Sequence, residues 1–297
     1  MGIALALGAS LAWGLADFFG PLQGRVLGAL RALVYVQLGG LVGIAVIVTV
    51  RAKGPSDAVA LLAIPAAVAG TLGLFAYYRG IAVGAISIVA PIAGVSAVLP
   101  VVVGIASGES PSTWQLAGIA CALAGVFLAA REPAAERPVR AQRGPVEGVW
   151  GNREVPPAAR AIAPGVGLAA LAAVGFGAYF PFMHAAGNAD FWWASLIFRI
   201  TSTSVILVVV AVQRPRLGVP GRLLPWLALI GFGDMFGNLL FAAASGSGLV
   251  SITSVLASLY PIVTVVLARM LLAERVARSQ EAGIGLTLAG VALISAG

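Results

Sequence analysis

The sequence predicts an all-α, polytopic membrane protein: ten transmembrane helices arranged as two inverted five-helix repeats. Three observations predict it. Of the 297 residues, 60% are hydrophobic and only 10% charged, with a mean hydropathy of +1.01, whereas an ordinary soluble domain carries about 25% charged residues. Apolar runs recur at the length of about 20 residues that a helix needs to cross the hydrocarbon core. One half of the chain also repeats features of the other.

The spans follow from the punctuation between the runs. The first, 3–20, lies in MGIALALGASLAWGLADFFG, which lacks the basic n-region and cleavage site of a signal peptide and reads as a membrane helix. The second, 28–50, opens after Gly28 and stops at Arg51 and Lys53, and the third, 58–78, runs from PSD to YYRG. The fourth, 81–105, ends before GESPS, and the fifth, 114–130, before REP. The sixth, 161–182, follows PPAAR, the seventh, 191–212, lies between Asp190 and QRPR, and the eighth, 223–244, begins after PGR. The ninth, 248–272, starts at SGSG and stops at AER, and the tenth, 282–297, closes the sequence. Alternating β-barrel patterning is absent. Residues 131–160 hold five prolines, six arginines and four glutamates and cannot form an apolar helix, so they read as a linker between repeats at 1–130 and 161–297.

A shift of 165 residues places ESPSTWQLAGIACALAGV (109–126) over ERVARSQEAGIGLTLAGV (274–291), with nine identities in eighteen ungapped positions. An odd number of spans per repeat makes the second copy enter the membrane from the opposite side. Many secondary transporters are built this way, because two similar halves can exchange conformations across a pseudo-two-fold axis.

The net charge of +7 and pI near 10.5 do not indicate a nucleic-acid partner, since the arginines form no basic face interleaved with aromatics. The basic excess instead reports on orientation. Fifteen Lys and Arg follow odd-numbered spans and two follow even-numbered ones, which puts both termini outside by the positive-inside rule. A single cysteine, Cys121, excludes an internal disulfide and a Cys-based metal cluster, and His184 has no second histidine near it. GFGDMFG is neither GxGxxG nor placed after a strand. With no P-loop, HExxH or GxSxG, the sequence predicts no enzyme, no cofactor and no ATP hydrolysis; uphill transport would use an ion gradient or exchange.

The residues that stand out are polar groups inside apolar runs. Arg199 lies nine residues after Asp190, and Asp234 nine after Pro225, at the opening of the next run. At 1.5 Å per residue both fall near the bilayer midplane on neighbouring antiparallel helices. An arginine there costs about 3 kcal/mol on insertion scales and calls for a partner, a wet cavity or a ligand. Two readings stay open: a structural ion pair, or a site where Arg199 receives a substrate anion and Asp234 is counter-ion or proton carrier. Asn238, one turn beyond Asp234, extends that face. Gln37, near the middle of span two, either bridges helices or touches substrate. Asp17 is expected at the end of helix one, solvated at the interface or lining a vestibule as a second proton-coupling candidate. Trp13 and Tyr260 are the deeper candidates for an aromatic wall, with Phe176, whereas Trp192 and Trp193 fit an interfacial belt, as does Arg79 in YYRG. Glu109 and Glu274 each precede a helix whose macrodipole favours a carboxylate, which makes a structural role the better reading. Gly80/Gly84, Gly104/Gly108 and Gly233/Gly237 match small-xxx-small helix packing.

Several of these features together resemble the EamA-type members of the drug/metabolite transporter superfamily: the two five-span repeats, a glutamate before each final helix, AGxxxxLAGV within it, and the segments at 75–109 and 250–275. The second-half proline of the pattern is present as Pro261, while Ser96 stands at the aligned first-half position between Pro91 and Pro100. The resemblance implies a secondary transporter of amino acids, other metabolites or drugs, with export the expected direction, working by alternating access. It also implies both termini inside, against the arginine count, so orientation stays open. The expected setting is a multi-pass position in a prokaryotic inner (cell) membrane, with a small-molecule substrate, surrounding lipid, protons as a coupling ion, and a monomeric or homodimeric state. A scaffold or receptor that kept the fold without transporting is the alternative.

Overall fold

The computed structural model describes residues 1–83, 89, 92–129, 165–272 and 278–296. Within them the chain is helical: α1 Gly2–Leu27, α2 Ala29–Arg51, α3 Ala63–Val83, α4 Val98–Ala106, α5 Thr113–Ala129, α6 Val166–Gln213, α7 Leu224–Ser245, α8 Val250–Ala257, α9 Tyr260–Leu272 and α10 Arg278–Ala296. Gly2–Gly24, Ala29–Arg51, Ala58–Val83, Val166–Gln213 and Gly221–Ser245 are long and apolar enough to cross a membrane, and shorter apolar helices cover Ile92–Ala106, Thr113–Gly125, Val250–Thr264 and Glu281–Ile294. The linker at 131–160, Gly84, Pro91 and Glu274 lie outside the described residues.

Spans six, seven and nine depart from the expected limits for identifiable reasons. Spans six and seven, together α6, are two helical arms joined directly at Asp190, whose backbone (φ −158°, ψ 94°) is not helical. The Asp190 carboxylate accepts the N–H groups of Trp192 (3.2 Å) and Trp193 (3.1 Å), as an N-cap does. It also binds the Ser56 hydroxyl at 2.7 Å and so ties the kink to the loop after α2. Span nine breaks between α8 and α9, just before Pro261, where the ring removes a helical donor. In the first repeat a 3₁₀ turn, Val95–Ala97, occupies the matching place around Ser96. The break therefore recurs without its proline.

Close approaches fix the directions of the halves. A Cβ on Gly118 would meet the Gly290 carbonyl and Ile294, whereas one on Gly125 would meet Gly283 and Thr287, so α5 and α10, the two copies of AGxxxxLAGV, lie antiparallel. Gly8 and Gly237 place α1 antiparallel to α7 through Leu240 and Trp13, and Gly70 and Gly73 place α3 antiparallel to the first arm of α6 through Tyr179 and Phe176. The 165-residue shift exchanges these two pairs, as it must if the second unit is inserted upside down.

Of the glycines spaced for small-xxx-small packing, Gly80 approaches Val89 and Leu168 closely, and others serve more local demands. Gly108 turns the chain at φ +95°, and Gly104 leaves room for the Glu109 carboxylate and Val250. Gly233 has nothing within 4 Å of its Cβ position, while Gly237 seats the Trp13 indole. Glu109 also departs from expectation, for it does not serve the helix it precedes. It accepts the backbone N–H groups of Val250 and Ser251 (the latter at 3.0 Å), capping α8 of the other half. Glu109→Ala should cost about 1–2 kcal/mol of stability, with Glu109→Gln losing less because one acceptor remains. Thermal melts of the purified protein check this, and unchanged midpoints for both would exclude the cap.

Candidate functional site

α2, the second arm of α6 and α7 pack together, and where they meet Arg199 is held from both sides. Its guanidinium donates to Asp234 Oδ2 at 2.8 Å and, through a short bond, to Gln37 Oε1. Only 1% of the arginine is exposed, against 15% of Asp234. Gln37 is fully buried and also accepts from the Ser202 hydroxyl at 3.4 Å, whose other contact is the Arg199 carbonyl. The Asn238 amide donates to the Asp234 carbonyl at 2.9 Å, which keeps it one turn up on the same face. Both terminal nitrogens of the guanidinium are thus paired, the arrangement that makes a buried charge tolerable, while its Nε–H is buried without a hydrogen-bond partner.

Beside this clamp opens a cavity of about 550 Å³, its mouth included, whose wall holds Trp13, Asp17, Gln37, Arg199, Asp234, Asn238 and Tyr260. All seven come from residues that stand out in the sequence as a possible site. Asp17 is the one whose setting differs from expectation. α1 continues through Pro21 to Leu27, so the carboxylate lies within the helix rather than at its end and lines the cavity. Gly20 is not a stop, because the missing side chain there makes space for Tyr78.

The rest of the wall is Phe176, already among the sequence candidates, together with Gly70, Thr71, Leu74, Tyr179, Phe180 and Phe198. Phe176, Tyr179 and Phe180 stand at i, i+3 and i+4, the spacing that brings side chains to one helix face. That stripe was the available signal, but core helices show the same one. Trp13 meets Tyr179 and Phe180 edge-on at 5.8 and 6.1 Å, and Phe176 meets Tyr260 at 6.4 Å. The wall draws on α1, α2, α3, both arms of α6, α7 and α9, hence on both repeats.

Trp192 and Trp193 lie elsewhere. Arg51 stacks over Trp192 at 4.3 Å, and the Trp193 indole donates to the Lys53 carbonyl at 2.9 Å, a cluster suited to the headgroup level. Arg79 is exposed at the end of α3. His184 faces Thr253 at 3.5 Å, outside the cavity wall. No group of three or more His, Cys, Asp or Glu suited to a metal occurs among the described residues.

The sequence profile described as "EamA-like transporter family" matches residues 1–131 and 163–296. A solved crystal structure superposes with a TM-score of 0.70 over 99% of this chain and 98% of the other, at 19% identity, which is a likeness of fold. No curated protein matches the sequence.

Proposed function

The chain belongs to the EamA-like transporter family, and on that premise we propose that it is a secondary transporter of the cell membrane. It carries small organic metabolites, in the export direction, by alternating access between its inverted repeats and without ATP. The observation that carries this reading is the cavity itself: it sits where both repeats meet, and charged, amide and aromatic side chains converge on it. A few polar groups in an otherwise apolar, aromatic pocket are the usual form of a small-molecule site. Intramembrane ionisable groups mark pathways by default. Asp234 and Asp17 are the groups that suit proton coupling.

A thermal-shift screen of purified protein against amino acids, nucleosides and cationic drugs tests the reading. At least one class should raise the unfolding midpoint of the wild type. Trp13→Ala and Asn238→Ala should each abolish that rise while remaining folded by circular dichroism. Ligands that stabilise both variants as they do the wild type would move the site elsewhere, and a screen without any hit would favour the scaffold alternative.

A further inference from the structure

The charges of the cavity do not balance. Its wall holds one guanidinium and two carboxylates. Arg199 and Asp234 are joined at 2.8 Å and neutralise each other. The guanidinium is 1% exposed and already bonded to Gln37 and Asp234, and a Cβ on Gly40 would come within 3.1 Å of its Cζ. Both terminal nitrogens are thus engaged, and only the buried Nε–H is left without a partner for an incoming anion.

Asp17 is different. It makes no hydrogen bond and no ion pair among the described residues, yet it lies in the same wall as the clamp, with Trp13 one turn before it on α1. Six aromatic rings line the space around it: Trp13, Phe176, Tyr179, Phe180, Phe198 and Tyr260. Ring faces carry the negative lobe of the π quadrupole and attract cations, most strongly where water is excluded. Further polar groups of the wall, among them the Thr71 and Tyr179 hydroxyls and the Arg199 Nε–H, are buried without a hydrogen-bond partner. A buried polar atom left unpaired is costly, which points to a ligand or water that completes it.

We propose that the cavity takes an amphipathic organic cation, a protonated amine carrying an aromatic or apolar body. Its ammonium sits against Asp17, its body lies among the aromatic rings, and Thr71 and Tyr179 offer hydroxyls to its polar substituents. The Arg199–Asp234 pair then acts as a neutral, rigid strut of the cavity and not as the charge that selects the substrate. This inference rests on the transport reading above, replaces the anion expected at Arg199 from sequence, and leaves Asp17 rather than Asp234 as the carboxylate free to exchange a proton.

The test uses three probes of matched size, 2-phenylethylamine, 2-phenylethanol and 3-phenylpropionate, titrated calorimetrically into the purified full-length protein. The amine should bind, and the alcohol and acid should bind at least about tenfold more weakly. Asp17→Asn should weaken the amine by about tenfold or more and leave the alcohol unchanged, while Asp17→Glu restores amine binding in part. Equal binding of amine and alcohol overturns the inference, and so does amine affinity unmoved by Asp17→Asn. Tighter binding of the acid also overturns it, but leaves the cavity as the transport site with the arginine as its selector. If none of the three binds, the inference fails, and the transport reading falls only if the broader thermal-shift screen is also empty. Should Asp17→Asn not fold, the wild-type ranking of the three probes alone decides.

Discussion

Arg199→Ala should lower stability by about 3–5 kcal/mol, the scale for removing one partner of a buried ion pair. The substitution strands the Asp234 carboxylate in the wall of an apolar cavity and leaves the fully buried Gln37 oxygen with only the Ser202 hydroxyl at 3.4 Å. The loss therefore comes more from the groups left behind than from the bond removed. Arg199→Met with Asp234→Asn takes away both charges while keeping much of the volume, and should recover most of what the single substitution loses. Thermal or denaturant unfolding in detergent separates the cases. If the double variant is no more stable than Arg199→Ala, the pair is not what holds α2, α6 and α7 together. The same double variant also bears on selectivity: a strut can be replaced by a neutral isostere without loss of amine binding, whereas an anion receptor cannot.

The composition and the 165-residue repeat carried the fold class, because crossing lipid forces every backbone polar group into a helix and leaves few alternatives. The cluster at Arg199 was equally legible. A charge amid Ile, Leu and Val must find a partner, and helix rise alone put Asp234 at its depth. What the sequence did not disclose were properties of side-chain surroundings. Asp17 reads as a helix-end carboxylate because Gly20 and Pro21 look like a stop, but a proline is tolerated in a membrane helix when neighbours satisfy the freed carbonyl. Tyr179, Phe180 and Phe198 could not be told from core aromatics, since periodicity gives the face of a helix and not what it faces. Glu109 has obvious N–H donors in the helix it precedes, and its actual partner lies 141 residues on, a distance that only the folded arrangement of the halves removes. Glycine spacing was only partly informative for a related reason. Gly104, Gly108 and Gly237 are small because of one carboxylate, one turn and one indole, each a local demand unrelated to the four-residue interval between them.

Gly231→Ala is the second substitution expected to have a large effect, because the clamp depends on how closely two backbones approach. A methyl at Gly231 would fall on the Val36 carbonyl, and within 3.0 Å of the Gly40 nitrogen. The reverse contact is as tight, with a Cβ on Gly40 only 2.8 Å from the Gly231 carbonyl and one on Gly39 only 2.6 Å from Ala228 Cα. None of these neighbours is the far end of a flexible side chain, so α2 and α7 must move apart. Gln37 follows Val36 on one helix, and Asp234 lies nearly one turn beyond Gly231 on the other, so separation opens both jaws that hold Arg199. Overpacking of this kind costs about 1–3 kcal/mol, and a misplacement on the order of 1 Å is enough to break hydrogen bonds of this length. Gly231→Ala should therefore fold, with an unchanged helical circular dichroism spectrum, yet melt earlier and lose ligand-induced stabilisation. Gly233→Ala is the matched control, since nothing lies within 4 Å of its Cβ position, and it should behave as wild type or gain slightly from reduced backbone freedom. If the two variants cannot be told apart in melting or in ligand response, then the α2–α7 spacing does not set the geometry of the cavity. The clamp would then be held by its own hydrogen bonds alone.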